Sequence, residues 1–565
     1  MKKNNMIYRF FLLFSLLISI CISWLLFSYN YLSFLEVLQN TFPDAYDIDK
    51  VNQFFSLNQF VFLRIWSLII ISIHLVVFYL MRKYQVQISV LYEALKVEFY
   101  TLTGKIIYQI RFQNLEEKIT IGLICILIFG HHLYLWTESP IRVDDIGSYV
   151  FSAHQGPIVS AFFYHDVNNH IFFNIICSFL DKLPLSPEVV MILPSSLSWM
   201  LILVLVYCFA RSEAGFRVAC IALLLSGLLS SSANYAVQGR GYMLMSLFLL
   251  ICFFTVYLYC YKERRTIYLV IFVFSSTLAI WTLISSLIAI VPLFIFLGIR
   301  SYTTAIKNIL YTAIALGFFV ALIYIPVLLI NGTDRVYNIN VKAKGVDYYF
   351  SILRPALLES VDCLLGVPTK GYLILGSILV AFFFLEYKKK GPKNWLNFFG
   401  IIMIGSFLFI TLRTSFPPYR TWTYISFLFN ISVAIILVAV IDLFPKKIII
   451  FYSVIIVLAG YCLYPHLGNH YIPKKEYFEE AMKKSKEYSP SSSGIVLVDR
   501  RDVLYYYMQL EKIKRKNLFE VVTQKKKNQV CNVVIQYDPF FPAGLYEKDY
   551  SFMERFDDCK IYRIK

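Results

Sequence analysis

At 565 residues, 58% of them hydrophobic and 16% charged, the chain has too little polar surface for a soluble fold of its size. Runs of about 20 mostly apolar residues can cross a bilayer, and they recur along the whole length, so a polytopic membrane protein is expected. The excess of 53 Lys+Arg over 36 Asp+Glu suits cytoplasmic loops meeting anionic headgroups; no nucleic-acid-reading pattern accompanies it, and no nucleic-acid partner is expected.

The N-terminus reads MKKNNMIYRF and continues into an apolar stretch ending near Phe27. That stretch is long and lacks a small-x-small cleavage pattern, so a retained first span over 7–28 is expected. Further spans are predicted at 59–80, 118–137, 187–210, 217–233, 240–261, 266–281, 283–299, 308–330, 371–387, 395–412, 421–443 and 447–464, giving about 11–13 transmembrane helices. The short pair around Trp281 has the lengths of a hairpin dipping into the membrane. Residues 81–117 mix charged and apolar positions at helical spacing, which predicts an amphipathic helix on the cytoplasmic membrane surface. Arg64 and His74 are ionisable residues inside the second span.

Positive loops set the orientation. Lys2 and Lys3, Arg82 and Lys83, Lys262 with Arg264 and Arg265, Lys388 to Lys390 with Lys393, and Lys446 with Lys447 all fall on one side of the predicted spans. That side is read as cytoplasmic. The opposite face then receives the loops 138–186, 231–239, 331–370 and 413–420 and the tail from about 466. The eleven cysteines lie mostly in apolar runs, where Cys behaves as a small hydrophobe, and none has zinc-site spacing. In the tail, GIVLVD (494–499), FEVV (519–522), VCNVVIQYD (530–538) and CKIYRI (559–564) read as strands, and DVLYYYMQLEKIKRK between the first two as a helix. A small C-terminal α/β extracytoplasmic domain is expected. The organisation is thus a two-span extension over 1–117, a membrane domain over 118–465 and a soluble domain over 466–565.

The polar residues that could do chemistry gather in the outward loops. RVDDIGSYVF places Asp144 and Asp145 in the first turn of a predicted helix, where acids favour the helix dipole. Consecutive helical side chains point about 100° apart, so the two acids are expected to have different jobs: one accepts a proton, the other holds a substrate, a donor or a metal. Downstream, YHDVNNHIFFNII carries His165, Asp166, Asn168, Asn169 and His170. Its amides suit hydroxyl-rich ligands, a metal being the less favoured alternative, so no metal or other cofactor is expected. In SSSANYAVQGRGYML, Arg240 stands at the outer end of a span, against the positive-inside trend. Its planar fork suits a phosphate, and Gly239 and Gly241 would let a bulky ligand near the backbone. Gln238 and Tyr242 beside it are candidates for sugar or acceptor binding. FPPYRTWTY sets Arg420 and Tyr419 at the outer start of another span, a second candidate phosphate contact. Asn331-Gly332-Thr333 matches a glycosylation acceptor pattern, as one stretch in a chain of this length does by chance.

This order of an acid pair after an early span, an NNH turn and then SLSWMLILVLVYCFARSEAGFRVACIALLLSGLLSSSANYAVQGRGYMLMSLFLL resembles the GT-C superfamily of polytopic glycosyltransferases. The nearest pattern is the bacterial protein O-mannosyltransferase and lipid A aminoarabinose transferase group. The resemblance is clearest over about 118–260, continues loosely through PPYRTWTYISFLF and does not cover the first hundred residues. It implies a sugar donor linked to polyprenyl phosphate, used on the external leaflet of a bacterial cytoplasmic membrane. It matches the family's acid pair to Asp144 and Asp145, its outward Arg to Arg240 and its late Pro-x-Arg to Arg420. The chain departs in having Asp145 where Glu is common and Gln238 with no carboxylate in the second loop. The implied reaction is an inverting displacement, with Asp144 as base and an arginine on the leaving phosphate; the acceptor is an envelope glycan, lipid or protein. The competing readings are a transporter or flippase of a lipid-linked glycan, which would place ionisable residues near the bilayer midplane, and a noncatalytic envelope-assembly subunit.

Overall fold

The computed structural model describes residues 16–17, 19–41, 56–111, 114–139, 142–162, 164, 169–301, 306–331, 345–366, 371–387, 393–414 and 416–467, and in the tail 495–499, 520–522, 533–537, 550–556 and 559–564. Among these, nine helices are long and apolar enough to cross a membrane, or ten if a bent pair counts as one span. The protein is a multi-pass helical membrane protein.

At the N-terminus, α1 (Ser19–Ser28) and α2 (Tyr31–Thr41) pack against α3 (Leu57–Lys83). Arg64 of α3 donates through Nε to the Leu26 carbonyl at 3.0 Å, and its guanidinium lies 4.3 Å from the Phe60 ring centroid. It therefore satisfies a carbonyl that the C-terminal end of α1 leaves open. His74 bonds Ile70 O of its own helix at 2.8 Å. Both ionisable residues of this span are accounted for by the helix pair itself. The amphipathic segment forms α4 (Gln85–Ile110), which buries none of its residues. Glu98 of α4 accepts from the Ile267 N–H at 2.9 Å, and Lys105 reaches Glu263 at 2.6 Å.

The central bundle contains α5 (Leu115–Glu138), α9 (Pro187–Ala214), α10 (Phe216–Leu228), α12 (Tyr242–Tyr261), α13 (Thr266–Thr282), α14 (Leu287–Ser301), α15 (Ile306–Asn331), α18 (Lys393–Leu412), α19 (Thr423–Ile441) and α20 (Lys447–Leu467). In α12 and α19, 78% of the most apolar stretch is buried, against 11% in α15 and α20. The first two are central and the last two present their apolar faces outward. A Cβ on Gly227 would meet Ile128 at 2.4 Å, so the glycine is what lets α10 approach α5 so closely.

Two expectations change. The dip predicted at Trp281 is not found: α13 is a 17-residue helix packed along α12 and α15, about 26 Å long, and a short 3₁₀ turn leads into α14. The sharp bend lies instead at Leu229, where α10 and α11 (Ser230–Ala236) meet at 58° inside what read as one span. The first span is described only from residue 16. The expected 371–387 span is α17 (Gly371–Tyr387), and the loop before it carries α16 (Val346–Leu365).

Polar contacts sort the helix ends into two sets. At one end Arg211 pairs with Glu117 at 2.9 Å, Lys262 with Glu213 at 3.1 Å and Arg217 with Asp442 at 2.8 Å. Trp395 also packs there on Phe209 and Tyr257. The ends that the charge pattern grouped together do meet. At the other end lie the acid pair, Arg240 and Arg420. There Asn331 takes the Tyr164 N–H at 2.9 Å and donates to the Phe162 and Val327 carbonyls. This asparagine is buried in a junction and is not an accessible glycan acceptor.

In the tail, β1 (Ile495–Asp499), β2 (Glu520–Val522), β3 (Val533–Tyr537), β4 (Tyr550–Phe556) and β5 (Cys559–Ile564) form one sheet in the order β2-β1-β3-β5-β4. The β1 pairings with β2 and β3 are parallel, and β5 is antiparallel to β3 and β4. Four strands fall where the alternation predicted them. The fifth, β4, was missed because its register shifts between Phe552 and Glu554, which breaks the period of two. The helix expected after β1 lies outside the described residues.

Candidate active site

The acids sit on α6 (Val143–Ser148), a six-residue helix that passes directly into a π-helical turn over Tyr149–Ala153, with α7 (Pro157–Phe162) after it. Its inward face is set by spacing: Asp145, Ile146 and Tyr149 are 2%, 0% and 2% exposed, while the Asp144 side chain is 54% exposed. The adjacent acids point different ways, one into the protein and one out of it.

Asp145 Oδ2 accepts from the Arg142 N–H at 3.2 Å, tying the carboxylate to the start of its own helix. Burial pushes its carboxyl above the ordinary carboxylate range; Arg240, Arg142 and the backbone N–H groups of Arg142 and Gly239 oppose this without overcoming it. Oδ1 has no hydrogen-bond partner. Gly239 lies against this group: a Cβ there would stand 3.0 Å from Asp145 Cβ and 2.8 Å from Met191 Cβ. The Cβ of a residue at 241 would meet His170 Nδ1 at 2.9 Å. The two glycines therefore admit protein side chains, not the bulky ligand expected of them.

Arg240 is 5% exposed. Its Nη1 donates to the Asp144 carbonyl at 2.7 Å and to Ser148 Oγ at 3.0 Å, and its own carbonyl accepts from Ser195 Oγ at 2.8 Å. It clamps the backbone of the acid helix. Arg420, on the 3₁₀ turn Tyr419–Trp422, is 41% exposed and sets Nη1 3.3 Å from Asp144 Oδ2. Residues 144, 240 and 420 thus meet at one point although 276 positions separate the outer two.

The remaining described candidates are engaged within the protein. His170 is fully buried, its ring edge-on to Tyr242 at 4.7 Å, and neither ring nitrogen has a hydrogen-bond partner. Burial, with Arg240 and Arg420 near, holds it well below its ordinary value, so the ring is neutral. Asn169 accepts from Asn174 at 2.6 Å, Gln238 donates to the Asn234 carbonyl at 3.0 Å, and Tyr419 bonds Ser426 at 2.8 Å. Tyr242, Tyr235 and Tyr419 continue the ring contacts toward Arg420. His165, Asp166 and Asn168 lie outside the described residues. Among the described residues no group of three or more His, Cys, Asp or Glu side chains could hold a metal.

Sequence reasoning missed several residues. Ser148 could have been found, since it lies four positions after Asp144 on the same helical face. Tyr149, His154 and Asp181 could not. Tyr149 donates to Asp181 Oδ1, and His154 Nδ1 lies 2.9 Å from Asp181 Oδ2, which fastens the π turn to the end of α8 (Ile171–Leu180).

No family model and no curated protein matches this sequence. Solved structures do. ArnT from Cupriavidus metallidurans in the apo state aligns over 78% of this chain and 97% of its own, with a TM-score of 0.50 at 12% identity. The chain has the GT-C fold. The same ArnT bound to undecaprenyl phosphate aligns over the same shares with a TM-score of 0.47 at 12% identity. An Archaeoglobus fulgidus oligosaccharyltransferase in complex with Zn and sulfate gives 0.37 at 14% identity, over 65% of this chain and 59% of its own. The GT-C fold agrees with the resemblance noted in the sequence.

Proposed function

We propose that this protein is a glycosyltransferase that moves a sugar from a polyprenyl-phosphate-linked donor to a hydroxyl of an envelope glycan, lipid or protein. The reaction takes place on the extracytoplasmic face of a bacterial cytoplasmic membrane. The observation that carries this reading is the exposed Asp144 carboxylate beside the exposed Arg420 guanidinium, on a backbone that buried Arg240 holds in place.

In the proposed step the acceptor oxygen attacks the anomeric carbon and its proton passes to Asp144. The bond from that carbon to the phosphate oxygen breaks, its electron pair leaves with the phosphate, and Arg420 stabilises the developing charge. Configuration inverts in a single displacement. Arg240, assigned to the phosphate on sequence grounds, is better employed holding the acid helix, since its Nη1 already bridges Asp144 and Ser148. Asp145, Asn169, His170, Gln238, Tyr242 and Tyr419 support the site from within, and the step as written uses no metal. Transport is less well supported, because Arg64 and His74 in the second span are engaged by helix carbonyls.

Asp144→Asn is expected to lower transfer from a radiolabelled lipid-linked donor by about 10²-fold or more, with expression and topology unchanged. Undiminished transfer by that variant would sink the assignment. Mass spectrometry of envelope glycans and polyprenyl-phosphate sugars, with and without the protein, would name sugar and acceptor.

A further inference from the structure

We infer that the Arg420–Asp144 ion pair is a resting latch which the donor's phosphate opens, so that binding of the donor frees the base for the acceptor. This rests on the function proposed above and adds an order of events to it.

The two partners are unequally free to move. Asp144 is fixed through its backbone: its carbonyl accepts a hydrogen bond from Arg240 Nη1 at 2.7 Å, and Arg240 is itself held by Ser148 and Ser195. The turn that carries Arg420 is fixed as well. Thr421 Oγ1 donates to the Pro418 carbonyl at 2.8 Å, Thr423 Oγ1 to the Arg420 carbonyl at 2.7 Å, and Trp422 Nε1 to the Pro417 carbonyl at 3.2 Å. The Arg420 side chain is joined to Asp144 by a 3.3 Å contact at 41% and 54% exposure. A pair so exposed is weak and readily exchanged. A phosphate offers the guanidinium two oxygens in the fork geometry that it bonds best. When Arg420 turns to the phosphate, Asp144 Oδ2 loses its partner and is open to the acceptor hydroxyl, while Arg240 keeps the carboxylate in position.

A double-mutant cycle on binding, which needs no turnover, tests this. The affinity of a detergent-dispersed polyprenyl phosphate is measured for the wild type, Asp144→Asn, Arg420→Gln and the double variant. Asp144→Asn is expected to bind up to about fivefold more tightly, the value of an exposed pair no longer competing, even though transfer is lost. Arg420→Gln is expected to bind about tenfold more weakly, and Asp144→Asn should change little in that background. Equal tightening in both backgrounds would overturn the latch, because simple repulsion between carboxylate and phosphate would explain it. Unchanged binding in Arg420→Gln would also overturn it, while loss of transfer in Asp144→Asn would still support the base. Both side chains are exposed, and matched thermal midpoints confirm that all four proteins are folded.

Discussion

At the scale of single residues, the site depends on two buried groups whose protonation opposes them to each other. The Asp145 carboxyl is raised above its ordinary 3.8 by burial. Such a group favours folding at low pH and costs stability as pH rises from its unfolded value through its folded one. Asp145→Asn keeps an oxygen for the Arg142 N–H and buries no charge. It is expected to melt higher than wild type near pH 8, with the gap closing toward about pH 4. Thermal midpoints of the purified protein across pH check this; a gap that widens in acid refutes it. His170 has the opposite slope. Lowered well below 6.5 by burial, it leaves stability intact above that value and removes it as pH falls.

At the scale of elements, α6 has only six residues and cannot hold itself together, since isolated helices this short are unstable in water. Three kinds of contact hold it: Arg240 on its backbone, the buried Ile146 and Tyr149 beneath it, and the π turn that follows. Side chains satisfy that turn's carbonyls, Gln155 bonding Val150 and Ser160 bonding Ser152. Burial, and then Asp181, push the Tyr149 hydroxyl upward, so it remains the donor to Asp181. Asp181→Ala removes that acceptor and leaves the hydroxyl the longer contact with His154 Nδ1 at 3.4 Å, a loss of up to about 1–3 kcal/mol. The expected result is a lower melting midpoint and a lower kcat with donor KM little changed. Wild-type values for both would mean that packing alone holds the π turn.

At the scale of the whole molecule, charge divides the bundle into two ends, one with Glu117, Arg211, Glu213 and Lys262 and the other with the acid helix. If the site faces outward, Lys182→Cys is labelled in intact cells by an impermeant maleimide and Arg264→Cys only after permeabilisation. The reverse pattern would move the site to the cytoplasm and remove its access to an external acceptor. Much of this scale was legible beforehand. Apolar runs predicted most of the helices, and the positions of Lys and Arg predicted which ends meet, because span length and loop charge are local properties that add along the chain. The bend at Leu229 was not read from the sequence because the flanking apolar residues suggested one continuous span, although the Ser- and Gly-rich stretch SGLLSSSAN has the composition of a helix break.

The sequence by itself determined that the chain is a membrane bundle, that two acids open a helix in a loop between spans and that arginines stand at two distant span ends. Helical phase even required the acids to diverge. Only the tertiary structure decided which acid is exposed, that buried Arg240 bonds the backbone of α6 while half-exposed Arg420 pairs with the Asp144 carboxylate, and that Gly239 and Gly241 make room for Asp145 and His170. The reason is physical. Hydrophobicity and helical phase are written in neighbouring residues, whereas the meeting of residues 144, 240 and 420 depends on how helices far apart in the chain pack, and that is encoded only in their joint fit.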